Sequence, residues 1–279
     1  MAFVAVEAIA GFRSHSLALI SDAGHNFTDA FALLLAAIGY YLQARPGDHV
    51  KTYGYQRAGV LAAFVNAVTL LALAGFIFWE GWQRLRDPQP VSESTMIAVA
   101  GIGLVLNAGI ALGIGGGSDL NLRAAWLHMI GDAASSAAII GGAVAIQYTG
   151  WFAIDPLLSI LIGIGIVWSA WDIIKDSLNI LLEGLPKGLK LAEVIQEMGQ
   201  IEGVIDVHDL HIWSIGSEAH ALSCHVLIED MPPSSSDTIL RCINQVLCER
   251  FSIHHTTIQF EHIRCALADT SCTVAKHQH

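Results

Sequence analysis

The 279-residue chain is 53% hydrophobic, with a mean hydropathy of +0.53 and only 14% charged residues. An ordinary soluble domain carries about 25% charged residues, so a purely water-facing protein is excluded. A net charge of -11 argues against nucleic acid as a partner and favours cations.

That charge is unevenly spread. Residues 1–185 hold 8 Lys/Arg against 13 Asp/Glu, and residues 186–279 hold 6 against 12 in half the length. The second part also contains Cys224, Cys242, Cys248, Cys265 and Cys272, and nine of the thirteen histidines. An odd cysteine count without paired spacing reads as reduced thiols facing a cytosol. The pattern predicts a membrane domain over 1–185, a polar metal-rich domain over 186–265 and a disordered tail over 266–279.

In chain order, Met1–Arg13 is apolar, but 13 helical residues cover only about 20 Å of a roughly 30 Å hydrocarbon core. It predicts the back half of a first spanning helix, with Glu7 as a buried carboxylate. Apolar helical segments follow at about 15–42, 57–84, 92–117, 119–148 and 151–181, each able to supply the roughly 20 residues a span needs. Turn signals separate them: Arg45-Pro46-Gly47-Asp48, Asp87-Pro88-Gln89-Pro90, Gly115-Gly116-Gly117-Ser118 and Thr149-Gly150. Ser118 is placed to cap the following helix. Tyr40, Tyr41, Tyr53 and Tyr55 mark one interface, and Phe76, Phe78, Trp79, Trp82, Tyr148 and Trp151 the other. Gly109/Gly113 and Gly141/Gly142 predict close helix packing. Arg45, Lys51, Arg57, Arg123, Lys187 and Lys190 orient alternate loops, and the second domain, toward the cytoplasm.

Two apolar segments carry His25/Asp29 and His128/Asp132. The His-x-x-x-Asp spacing puts each pair on one helix face, a turn apart. An aspartate at bilayer mid-depth costs about 2.5–3.5 kcal/mol on insertion scales, so chance placement is a poor account of both. One pair alone is equally an interhelical hydrogen-bonding device. Two pairs on separate helices predict a tetrahedral cage of two nitrogens and two oxygens, suited to Zn2+. Asp22 either extends an access path or caps a helix end. Asn66, Asn107 and Asp172 read as interhelical hydrogen-bonding groups. Asp48 and His49 are at most a weak further site.

The second domain reads as αββαβ. Leu189–Gln200 and Asp237–Phe251 have helical periodicity, and Val204–Ile215, Ala219–Glu229 and Thr256–His262 read as strands. A two-residue turn at Gly216-Ser217 predicts Ile215 opposite Glu218, His208 opposite His225, His211 opposite Leu222 and Trp213 opposite His220. In that register His208 and His225 share one sheet face, and a bulge would separate them. His211 and His220 read as solvated strand residues, while His255 and His262 are open. Cys265, Cys272, His277 and His279 form either a soft metal-capturing tail or a plain disordered one.

The string Ser21-Asp22-Ala23-Gly24-His25-Asn26-Phe27-Thr28-Asp29-Ala30 resembles the metal-binding second helix of the cation diffusion facilitator family. His128-Met129-Ile130-Gly131-Asp132 resembles its fifth helix, Tyr53-Gly54-Tyr55-Gln56-Arg57 its approach to the third, and His208-Asp209-Leu210-His211-Ile212-Trp213 its cytoplasmic signature. The likeness is greatest to the zinc-transporting branch, where both membrane pairs are His-Asp. It implies a six-helix membrane bundle, its first helix truncated here, plus a cytoplasmic ferredoxin-like α/β domain. It also implies a homodimer in the inner membrane of a cell, with the C-terminal domain cytoplasmic, exporting Zn2+ in exchange for protons. His208, His225, His254 and Glu261 match the family's regulatory metal positions, with Zn2+ as the regulatory ligand. Proton exchange has a basis in the residues, because zinc needs neutral imidazole and ionised carboxylate. An intramembrane zinc enzyme would need a helical His-Glu-x-x-His, which is not in the chain. The alternatives are a membrane-anchored zinc sensor, or the same carrier with Cd2+ or Co2+ as main substrate.

Overall fold

The computed structural model describes residues 1–115, 120–216 and 219–263. Six helices come first: α1 (Ala2–Ser14), α2 (Leu17–Gln43), α3 (Ala58–Arg86), α4 (Glu93–Ile114), α5 (Leu120–Thr149) and α6 (Ile154–Leu181). All agree with the expected segments to within a turn. Ser118, the expected cap of α5, lies outside the described residues, as do Cys265, Cys272, His277, His279 and the expected tail. Helices α3, α4 and α6, and residues Leu122–Thr149 of α5, are long and apolar enough to cross a membrane. Helix α2 is long enough at 27 residues, but Asp22, His25, Asn26 and Asp29 lower its hydropathy. Large apolar side chains face outward, with Leu33, Leu112 and Trp168 all more than 70% exposed. An outer surface of this kind belongs in lipid.

The chain forms two compact units. One comprises Met1–Ala36 with Ala63–Ile174, the other Ala37–Ala62 with Lys175–His279. Inside the first unit Leu17, Leu19, Ile77, Met96, Ile139 and Ile146 are fully buried. The close approach expected at Gly141/Gly142 is made by Gly142 alone, where an added Cβ would lie 2.2 Å from Leu158. Gly109, Gly113 and Gly141 have open space around them, so those expectations were misplaced. The sequence pattern marks small residues but not which side of a uniformly apolar helix meets a neighbour.

Helix α1 ends where His15 takes a left-handed conformation (φ 56°), and the chain turns at once into α2. The first turn of α2 exposes backbone N–H groups, and Asp155 from the first turn of α6 satisfies them. Its carboxylate accepts hydrogen bonds from Leu17 N (2.7 Å), Ala18 N (3.3 Å) and Ser16 Oγ (2.6 Å). Asp155 is fully buried, and it caps a helix 138 residues away in sequence. A carboxylate there also complements the positive end of the α2 dipole.

The second unit contains α7 (Leu191–Gly199), β1 (Val204–Ser214), β2 (His220–Ile228), α8 (Pro233–Phe251) and β3 (Ile253–Glu261), in the expected αββαβ order. Strand β1 pairs antiparallel with β2, and β2 pairs parallel with β3 through the α8 crossover. Leu222, Cys224, Val226 and Ile228 face Val194 and Met198 of α7 and Ile239, Ile243 and Leu247 of α8. His225 therefore points to the opposite face of the sheet.

The hairpin corrects the expected register in an instructive way. Ile215 N donates to Ala219 O at 2.8 Å, Trp213 lies opposite Ala221 and His211 opposite Ser223. The expected partners Leu222 and His220 are off by one residue, and Ser217 and Glu218 of the proposed turn lie outside the described residues. A bulge between His208 and His211, with Asp209 at φ 49°, then shifts the register back. His208 consequently does lie opposite His225. The two one-residue shifts cancel. Val207 and Ile212 both enter the core, which strict alternation forbids and the bulge permits.

Asp155→Ala removes the α2 cap and leaves buried N–H groups unpaired. It should lower stability by about 2 kcal/mol or more, read as a reduced thermal midpoint in detergent. An unchanged midpoint would show that α2 does not depend on this carboxylate.

Candidate metal centres

Helices α2 and α5 bring their two His-x-x-x-Asp pairs together in the first unit. His25 Nε2 lies 3.7 Å from Asp29 Oδ2 and 3.8 Å from Asp132 Oδ1. His128 Nε2 lies 3.3 Å from Asp29 Oδ2 and 3.7 Å from Asp132 Oδ2. Each imidazole thus faces its own helix's carboxylate and the other helix's. The two rings meet edge-on, centroids 6.1 Å apart. Zinc bonds of about 2.0–2.2 Å imply tetrahedral edges of about 3.3–3.6 Å, close to the spacings present. Asp132 is buried and His128 half exposed, at 8% and 43%, so the group has a dry side and an open one.

Around this group lie residues that hold α2 in place. Asn26 donates to Glu7 Oε2 of α1 at 3.0 Å. Ser135 of α5 donates to Asp22 Oδ1 at 2.7 Å. Glu7 is fully buried, as expected, and Asp22 is too. Of the two readings of Asp22, the burial and the bond to α5 favour an interior group over a helix-end carboxylate. The sequence does not mark the roles of Asn26 and Ser135, because a polar residue one or three positions from a ligand looks the same whether it faces a neighbour or lipid.

A second group forms on the face of the sheet turned away from α7 and α8, where His208 and Glu261 are largely buried. His208 and His225, opposed across β1 and β2, have ring centroids 5.5 Å apart. Glu261 at the end of β3 spans both, with Oε2 3.3 Å from His208 Nε2 and Oε1 2.9 Å from His225 Nδ1. Asp206 Oδ2 stands 3.6 Å from the other His208 nitrogen, beyond hydrogen-bond distance. Asp209, the bulge residue, stands 4.0 Å from His225 Nε2 and 3.1 Å from His211 Nε2.

His254 does not join this group within the chain. It lies at the start of β3, seven residues before Glu261, or about 23 Å along an extended strand. Its Nδ1 instead meets Cys248 Sγ at 3.3 Å. The sequence does not separate the two placements, because His254 and Glu261 both lie near the third strand and only its true start, at Ile253, sets the distance. Cys224 plays no part in either group. Burial in the core pushes its thiol up to about 12, so it stays protonated and inert.

Residues 1–182 match the family described as the cation efflux transmembrane domain, and residues 186–263 match the cation efflux protein cytoplasmic domain. A cadmium, cobalt and zinc/H(+)-K(+) antiporter of Bacillus subtilis is 40% identical, over 93% of this chain and 85% of that relative. The zinc transporter ZitB of Shigella flexneri is 41% identical, over 99% and 90%. The metal cation efflux system protein CzcD of Cupriavidus metallidurans is 38% identical, over 96% and 85%. These relatives are transporters, and the helices make this chain a multi-pass membrane protein. Domain matches over nearly the whole length, on top of two His-Asp pairs converging between apolar helices, place the chain in the cation efflux (cation diffusion facilitator) family.

Proposed function

We propose that this protein exports Zn2+ from the cytoplasm across the inner membrane in exchange for protons, working as a homodimer. The observation that carries the reading is the convergence of His25, Asp29 and Asp132, whose ligand atoms lie within 4.8 Å of one another, with His128 3.3 Å from Asp29 and 3.7 Å from Asp132, in an apolar helical unit. Two imidazoles and two carboxylates match the charge of the ion and its preference for four ligands. The same donors explain the coupling. Zinc needs neutral imidazole and ionised carboxylate, so protons arriving from outside compete with the ion for His25 and His128. A site that opens alternately inward and outward then releases zinc where protons are abundant. The relative named a metal cation efflux system protein fits this direction, and the one named a zinc/H(+)-K(+) antiporter fits the exchange.

In this reading residues 1–185 are the transport domain, residues 186–265 sense cytoplasmic metal, and residues 266–279 are a tail. His208, His225 and Glu261 hold the regulatory Zn2+, and a fourth position remains for water or a group from the partner subunit. His254 is too far along β3 to serve the same ion in the same chain.

Asp29→Ala and Asp132→Ala should each cut zinc flux into proteoliposomes by about a hundredfold or more, while the helical circular dichroism stays unchanged. Near-normal flux in both variants would remove the proposed cage. His25→Asp exchanges nitrogen for a harder oxygen donor, and should raise cadmium flux relative to zinc. An unchanged ratio would show that His25 does not set selectivity.

The bulge supplies a separate test of the regulatory site, done in the Asp132→Ala background so that the membrane cage does not contribute. Asp209→Gly tolerates the positive φ and should keep zinc affinity within a few-fold, about the scale of losing a distant carboxylate. Asp209→Val disfavours that conformation by about 1–2 kcal/mol and should weaken zinc binding about tenfold in calorimetric titration. Equal affinities in the two variants would mean that the His208–His225 alignment does not matter to metal.

A further inference from the structure

We infer that Cys248 and His254 form a separate surface site for a thiophilic divalent cation such as Zn2+ or Cd2+. The pair is held by local geometry. Helix α8 ends at Ser252, whose left-handed backbone (φ 55°) folds the chain back on itself, with Ser252 N donating to Cys248 O at 3.2 Å. Ile253 is anchored in the core at 1% exposure. One turn further back on α8, Asn244 Oδ1 accepts a 2.7 Å bond from Thr256 Oγ1. Reversal, anchor and cross-link fix the first residues of β3 against the last turns of α8. They leave Cys248 and His254 side by side at the surface, Sγ 3.3 Å from Nδ1.

Zinc bonds of about 2.3 Å to sulfur and about 2.0–2.1 Å to nitrogen imply a tetrahedral S···N edge of about 3.5 Å. The pair needs to open by only a few tenths of an ångström to bind. On binding, the Cys248 thiol loses its proton to solvent and the thiolate sulfur and His254 Nδ1 each donate an electron pair to the ion. The remaining positions are open to water or to ligands of a donor molecule. Two protein ligands at an exposed position suit capture and release rather than storage. Soft sulfur also separates this site from the nitrogen and oxygen groups of His208, His225 and Glu261.

The test is alkylation of the full chain in detergent by N-ethylmaleimide, with and without zinc, read per cysteine by peptide mass spectrometry. Zinc should slow modification of Cys248 about tenfold, because a metal-bound thiolate is a poor nucleophile. Cys242, exposed on the same helix, should react at one rate throughout. His254→Ala should abolish the protection of Cys248, and His254→Asn should do the same should the alanine variant fold poorly. His225→Ala should leave the protection intact. Equal Cys248 rates with and without zinc, protection that survives both His254 variants, or protection lost in His225→Ala would each overturn the assignment.

Discussion

An ionisable group placed in an apolar helical unit must find partners there, and the first unit is organised around that constraint. The isolated cost of a carboxylate in hydrocarbon is several kcal/mol even on lenient scales. This unit carries Glu7, Asp22, Asp29, Asp132 and Asp155 together with His25 and His128. Each has a defined interaction. Asp155 accepts three hydrogen bonds at the start of α2, Asp22 takes Ser135 and Glu7 takes Asn26. Asp29 and Asp132 face the two imidazoles. The polar interior therefore ties α1, α2, α5 and α6 together while keeping one cluster of donors at metal-binding spacing.

The two donor groups are built by different physics. In the membrane unit, helix periodicity does the local work: a spacing of four residues stacks imidazole and carboxylate on one face, and hydrogen bonds from Asn26 to Glu7 and from Ser135 to Asp22 lock α2 so that this face meets α5. In the sheet, pairing across strands does it, and pairing is sensitive to a single residue. His208 meets His225 only because the bulge at Asp209 compensates the shift at the hairpin end. A bulge that re-aims a side chain next to a site is a recurrent device in β structure. Here it also reconciles two demands on one strand, burial of both Val207 and Ile212 in the core and placement of His208 on the opposite face.

The chemistry of the donors separates three environments. The membrane group pairs two neutral-capable imidazoles with two carboxylates and has one side open at His128, which suits an ion that must arrive and leave. The sheet group shares one carboxylate between two histidines, with His208 and Glu261 largely buried, which suits a held ion. The Cys248–His254 pair is exposed and contains sulfur. Position in the fold, more than residue type, distinguishes them. Cys224 makes the same point from the other side, since core burial renders an identical thiol unreactive.

Much of this was legible in the amino-acid order. Long apolar runs, their turn signals and the two His-x-x-x-Asp spacings define the helices and their ligand faces, because helix geometry is local and a four-residue spacing has one meaning. The αββαβ order follows from local periodicity in the same way. What the order left open depends on contacts between distant residues. No local pattern says that Asp155 caps a helix 138 residues earlier, that Gly142 and not Gly109 meets a neighbour, or that Asn26 and Ser135 hold α2 in place. The hairpin is the sharpest case: the pairing of His208 with His225 was read correctly from a turn that is off by one, and only the packing of Val207 and Ile212 supplies the bulge that restores it. The placement of His254 beside Cys248 is likewise a tertiary result, set by the reversal at Ser252 and the anchoring of Ile253, because distance along a strand is decided by where the core makes it begin.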